Sequence, residues 1–161
     1  MSTRAASASI FFLTGILTAA AAAFVRMRLI VPGDASATAT NVLAHQPLFQ
    51  TLPAADLISA ACLAGMSLVF CDLITPASRR LAAAAAFISF LNFPLVAFGG
   101  FLHIAALVIL RGAQVLHLLQ VQPFPNFALV CLELQARATS ASWVVFAVCC
   151  ALITVSWERA K

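Results

Sequence analysis

The sequence predicts an all-α integral membrane bundle of four transmembrane helices, with short interfacial helices in the outer loops. Three observations carry that prediction. Of the 161 residues, 63% are hydrophobic and 9% charged, against about 45 to 50% apolar and about 25% charged in soluble domains. A water-soluble fold of this length has too little interior to hide so much apolar surface. The apolar residues gather in four blocks, 9–25, 54–74, 81–110 and 126–157, each close to or beyond the roughly 17 to 25 residues that cross a hydrocarbon core as a helix. Eight of the nine Lys and Arg stand at or beyond the edges of these blocks, where they act as topology signals, and Arg137 lies within the fourth. With no basic stripe, the net charge of +4 gives nucleic acid no footprint.

The first block follows the basic N-terminus "MSTR" and carries no charge. It reads as a retained spanning helix. The rival reading is a cleaved signal peptide, because Ala19 to Ala23 offer small residues to a peptidase. The segment after it, "VRMRLIVPGDASATATNVLAHQPLFQ", is polar and turn-bearing. Pro32 and Gly33 stop the chain there, and Asp34 is placed to cap an outer-loop helix over about residues 34–46. Pro47 should end or kink that helix before the second block. The second block has Asp56 and Asp72 near its two ends and no charge between, so both carboxylates can reach the headgroup zone.

The third block runs 30 residues without a charge. At about 1.5 Å per residue it exceeds a hydrocarbon core of roughly 30 Å. Pro94 and the Gly99-Gly100 pair mark where one helix bends, or where two helices meet. Beyond it Arg111, Gln114, His117 and Gln120 recur every three residues, which predicts a short amphipathic helix over about residues 111–121. In the fourth block Glu133 and Arg137 are spaced to pair on one helix face, and Trp143 and Trp157 suit interface or packing positions.

An N-terminus on the inside places Arg4, Arg79, Arg80, Arg159 and Lys161 within the cell and Arg26, Arg28 and Arg111 outside. That bias orients both termini toward the cytoplasm of a bacterial inner membrane, with the tight "TPASRR" turn inside.

The chain holds no H-E-x-x-H, no phosphate-binding glycine loop and no G-x-S-x-G. His45, His103 and His117 lie in different segments, and the five cysteines sit in apolar blocks with no C-x-x-C. These residues predict no catalytic group, no metal site and no cofactor. His103, on an apolar helix, is expected to bond a backbone carbonyl released by a bend, and the cysteines to serve as small apolar packing residues. The candidate polar cluster is Asp56, Glu133 and Arg137. A structural ion pair linking Asp56 to Arg26, Arg28 or Arg137 competes there with a substrate or proton role. Ser89 and Asn92 are expected to hydrogen-bond between helices.

The stretch from Phe24 to Cys62 also resembles the hallmark region of a bacterial multi-pass membrane family, family 4386 among domains of unknown function. The resemblance rests on Arg26, Leu29 to Ala35 with the Pro32, Gly33 and Asp34 motif, Ala37 to Ala39, Asn41, Leu48, Phe49 and Ala55 to Leu57. A looser likeness covers residues 128–153. It implies that the first helix is kept. The family's members usually run longer, so the resemblance suggests a truncated member, and where they often carry a histidine after the fourth helix's acidic position this chain has Gln135. The family brings no established activity. The expected role is a structural or interaction component of the membrane. Its partners would be membrane lipids and either a second copy or another membrane protein. A subunit of a small-molecule transporter or channel is the alternative, and an enzyme acting on lipid or quinone is a further one.

Overall fold

A computed structural model describes residues 3–74, 79–116 and 123–158. Five helices account for nearly all of them: α1 (Thr3–Leu29), α2 (Ala35–Ala44), α3 (Gln46–Ile74), α4 (Arg79–Val115) and α5 (Pro123–Glu158). The four long helices are each long and apolar enough to cross a membrane. Strands are absent among the described residues.

α4 packs along α5, α3 against α4, and α1 against α3, so the long helices form a row in the order α1, α3, α4, α5. The two ends of the row do not close on each other: among the described residues no Cα of α1 comes within 8 Å of α5. The seams carry a heptad rhythm. On α5, Ala128, Gln135, Ser142 and Cys149 recur at intervals of seven and all are buried; on α4, Ala85, Ser89, Asn92, Gly99, His103, Ala106, Leu110 and Ala113 alternate in steps of three, four or seven. Small and polar residues at such positions let apolar helices approach where no hydrophobic gain separates protein from lipid. α1 meets α3 at Gly15, where an added Cβ would lie 3.1 Å from Leu63 Cγ. The same close approach lets Ser59 Oγ donate to the Gly15 carbonyl at 2.8 Å.

α2 lies across one end of the row, touching α5 and α4. Gly33 has φ +78°, a left-handed value that favours glycine and turns the chain out of α1. The Asp34 side chain then caps α2 by accepting from the Ala37 amide at 2.9 Å. Thr38 accepts from the Val31 amide at 2.9 Å, and Asn41 donates to the Leu29 carbonyl. These bonds fasten α2 to the end of α1. Under it lies the main apolar core, built from residues such as Leu29, Val42, Phe49, Leu107, Leu110 and Leu132.

The structure departs from the sequence reading at two boundaries and decides a third. Pro47 starts α3 instead of ending α2: it occupies the first turn, where its missing N–H is no loss. Of the two readings of the third block the structure has the single helix, α4 running through Pro94, Gly99 and Gly100. It also continues through Arg111 to Val115, so that part of the expected separate helix 111–121 belongs to α4, and its remainder, with His117 and Gln120, lies mostly outside the described residues. The "TPAS" stretch between α3 and α4 and the last three residues lie outside them as well.

Candidate functional site

Proline at position 53 sets the site. Inside α3 it has no N–H to offer Phe49, four residues earlier, so the Phe49 carbonyl is left without its helical partner. His103 of α4 takes up the vacancy: its Nε2 lies 2.8 Å from that oxygen. The imidazole is fully buried and stacked on the Phe49 ring, with centroids 3.8 Å apart. The carbonyl expected near the α4 glycines is in fact supplied by the neighbouring helix.

The other imidazole nitrogen, Nδ1, is 3.1 Å from the Gln135 amide of α5. Only one orientation of that amide gives both of its ends a complementary partner. In it Nε2 donates to His103 Nδ1, while Oε1 accepts from Arg26 Nε at 3.2 Å and Nη2 at 3.1 Å. With Nδ1 accepting, His103 is neutral and carries its proton on Nε2, which donates to Phe49. Arg26 in turn forms a two-pronged ion pair with Asp56, its Nη1 donating to Oδ1 at 3.1 Å and its Nη2 contacting Oδ2. Both side chains are only about one-sixth exposed. A polar chain thus runs Asp56, Arg26, Gln135, His103, Phe49 carbonyl, touching all four long helices.

The three residues singled out as a cluster do not meet. Asp56 belongs to the chain just described. Gln135 and the pair Glu133 and Arg137 point in opposite directions, because two residues turn a helix through about 200°. Glu133 and Arg137 are exposed, and no ion pair joins them among the described residues. The motif residues divide likewise. Arg26 enters the clamp; Pro32, Gly33 and Asp34 form the turn that places α2. Ser89 bridges helices, with its Oγ 3.1 Å from Cys149 Sγ and donating to the Ala85 carbonyl. Asn92 does not: its Oδ1 is buried without a hydrogen-bond partner. The described free cysteines are buried or half-buried. Among the described residues no group of His, Cys, Asp and Glu has metal-binding geometry.

Sequence reading noted Gln135 only where the family often carries a histidine and gave it no role, since it lacks a charge to mark it. Its signal was phase, since it shares the seven-residue stripe with Ala128, Ser142 and Cys149.

Four apolar spanning helices joined by an internal clamp define a multi-pass membrane protein. The chain belongs to the family described as a domain of unknown function, DUF4386, which matches residues 8–157. No curated protein and no solved structure shows significant similarity to it.

Proposed function

We propose that the protein is a structural or interaction component of the bacterial inner membrane that associates with a second copy of itself through the outward face of α5. The observation that supports this reading is the exposed pair Glu133 and Arg137 on a helix apolar enough to span a membrane. A charge facing hydrocarbon costs about 2.5 to 3.5 kcal/mol at mid-helix and less toward an end. Acid and base one turn apart on one face are self-complementary. When two equally oriented copies of α5 lie side by side about a two-fold axis along the membrane normal, each Glu133 reaches diagonally, one turn along, to the other's Arg137. Val130, Ser140 and Val144 continue the same face above and below. A conduit finds less support, because the polar groups of the clamp are engaged with one another.

Charge reversal separates this reading from a purely intrahelical pair. In detergent or nanodiscs the parent protein should be dimeric, Glu133→Arg should be monomeric, and the double reversal Glu133→Arg with Arg137→Glu should recover the dimer. A cysteine replacing Val144 should cross-link to its counterpart, whereas one replacing Phe90 on α4 should not. A parent protein that stays monomeric in nanodiscs would sink the proposal.

A further inference from the structure

The polar chain stands between two spaces. A cavity of about 210 Å³ lies among α1, α3, α4 and α5, and a groove of about 530 Å³, reaching Ile30 and Pro32 at the α2 end of the row, runs between α1 and α5. Ala23, Arg26 and Thr139 border both, and Gln135 borders the groove. Among the described residues the backbones of α1 and α5 stay apart. The bonds from Arg26 to Gln135 therefore cross the gap between these helices at the partition of the two spaces.

That crossing depends on which way the Gln135 amide faces, and His103 decides it. With Nδ1 bare, the amide Nε2 donates to the ring and Oε1 accepts from Arg26. With a proton on Nδ1, the amide must offer Oε1 to the ring instead. Either end of the amide comes within 3.1 Å of Nδ1, so the same position serves both orientations. Reversal turns the amide Nε2, a donor, toward a guanidinium that can only donate, and Arg26 Nε and Nη2 lose their acceptor on α5. Arg26 keeps its pairing with Asp56 on α3. The doubly protonated ring, for its part, has an acceptor at each nitrogen: Gln135 Oε1 at Nδ1, and at Nε2 the Phe49 carbonyl that Pro53 leaves free. The charged groups acting on it are Arg26 of α1 and Asp56 of α3, of opposite sign. α5 faces it with uncharged Gln135 and carries the buried Cys131 thiol one turn earlier, α2 contains no titratable residue, and on α4 itself Arg111 lies two turns away, bonded to Gln46.

We propose that the clamp is an acid-operated gate: a proton taken up from water at His103 Nδ1 reverses the Gln135 amide, detaches Arg26 from α5 and joins the cavity to the groove along the open edge between α1 and α5. The amide is the bistable element, and the proton selects between its two orientations. Return to neutral pH restores the acceptor to Arg26 and closes the partition. The gate is independent of self-association, because Glu133 and Arg137 lie on the face of α5 opposite Gln135.

Two readouts on the full chain in lipid nanodiscs test it. With His45 and His117 replaced by Asn, His103 is the sole histidine, and nitrogen-15 NMR of the labelled ring reads its protons directly: Nδ1 should be bare at about pH 8 and protonated at about pH 5, reversibly. In a Trp157→Phe background Trp143, which lines the cavity, is the sole tryptophan. Its quenching by aqueous acrylamide should rise on the order of threefold across the range in which histidine titrates, with the midpoint that NMR gives. His103→Gln, which has a donor for the Phe49 carbonyl and no proton to gain, should be quenched weakly at every pH, and Gln135→Ala strongly at every pH. An Nδ1 that stays bare throughout, protonation without a change in quenching, an acid rise that survives in His103→Gln, or a rise that does not reverse at neutral pH would each overturn the gate.

Discussion

Removing the charge of Asp56 leaves Arg26 half-buried, still bonded to Gln135 but without its counter-ion. Breaking a buried pair from one side costs about 3 to 5 kcal/mol, whereas replacing both partners by apolar residues of similar size is often neutral. Asp56→Asn should therefore lower thermal stability markedly, and Arg26→Met combined with Asp56→Leu should restore much of it. Thermal unfolding of the three variants in one detergent checks this, and a double variant as damaged as the sum of the singles would dismiss the pairing argument. At this scale the sequence was partly legible. Asp34 could be read as a cap because its partner, Ala37, is local. Asp56 could be read as one half of an ion pair, but Arg26, Arg28 and Arg137 stood equal as partners, since nothing in a linear sequence ranks bases on separate helices.

Between elements, the bond from His103 to Phe49 repairs in α4 a defect made by proline in α3. His103→Leu should destabilise the bundle by about 2 to 5 kcal/mol, leaving the Phe49 carbonyl and the Gln135 amide unsatisfied together. Adding Pro53→Ala returns an N–H to the Phe49 carbonyl, so the double variant should recover part of the loss. A second substitution that gives no recovery in denaturant or thermal unfolding would show that the carbonyl was not what His103 served. The helices themselves were visible as apolar blocks, but their ends were not. Gln46 was read as the end of the outer helix and Pro47 as its terminator, and both belong to the first turn of α3, because α2 stacks on α4 and α5. Pro94 and the two glycines left one bent helix and two helices both open; α4 is a single helix there, packed along α5. Tertiary contacts decided each of these, and hydropathy does not record them.

For the whole molecule, the distribution of basic residues predicts an orientation with α2 outside and both termini in the cytoplasm. His45, at the exposed end of α2, reports on that arrangement. A cysteine in its place should react with an impermeant thiol reagent applied to intact spheroplasts; labelling only after lysis would invert the orientation. The architecture was legible at this scale because four blocks and a capped turn are local features. The open edge of the row was not, since which helices fail to touch is a property of three dimensions. The ion pair within that row also bears on how the chain is made. Arg26 and Asp56 are 30 residues apart, and when the ribosome has delivered α1 the acid that neutralises its arginine does not yet exist. The first helix on its own carries Arg26, uncompensated, in its last turn. The smallest unit in which Arg26 has its counter-ion is therefore the α1–α2–α3 hairpin, joined by the PGD turn and closed when α3 brings its carboxylate into place.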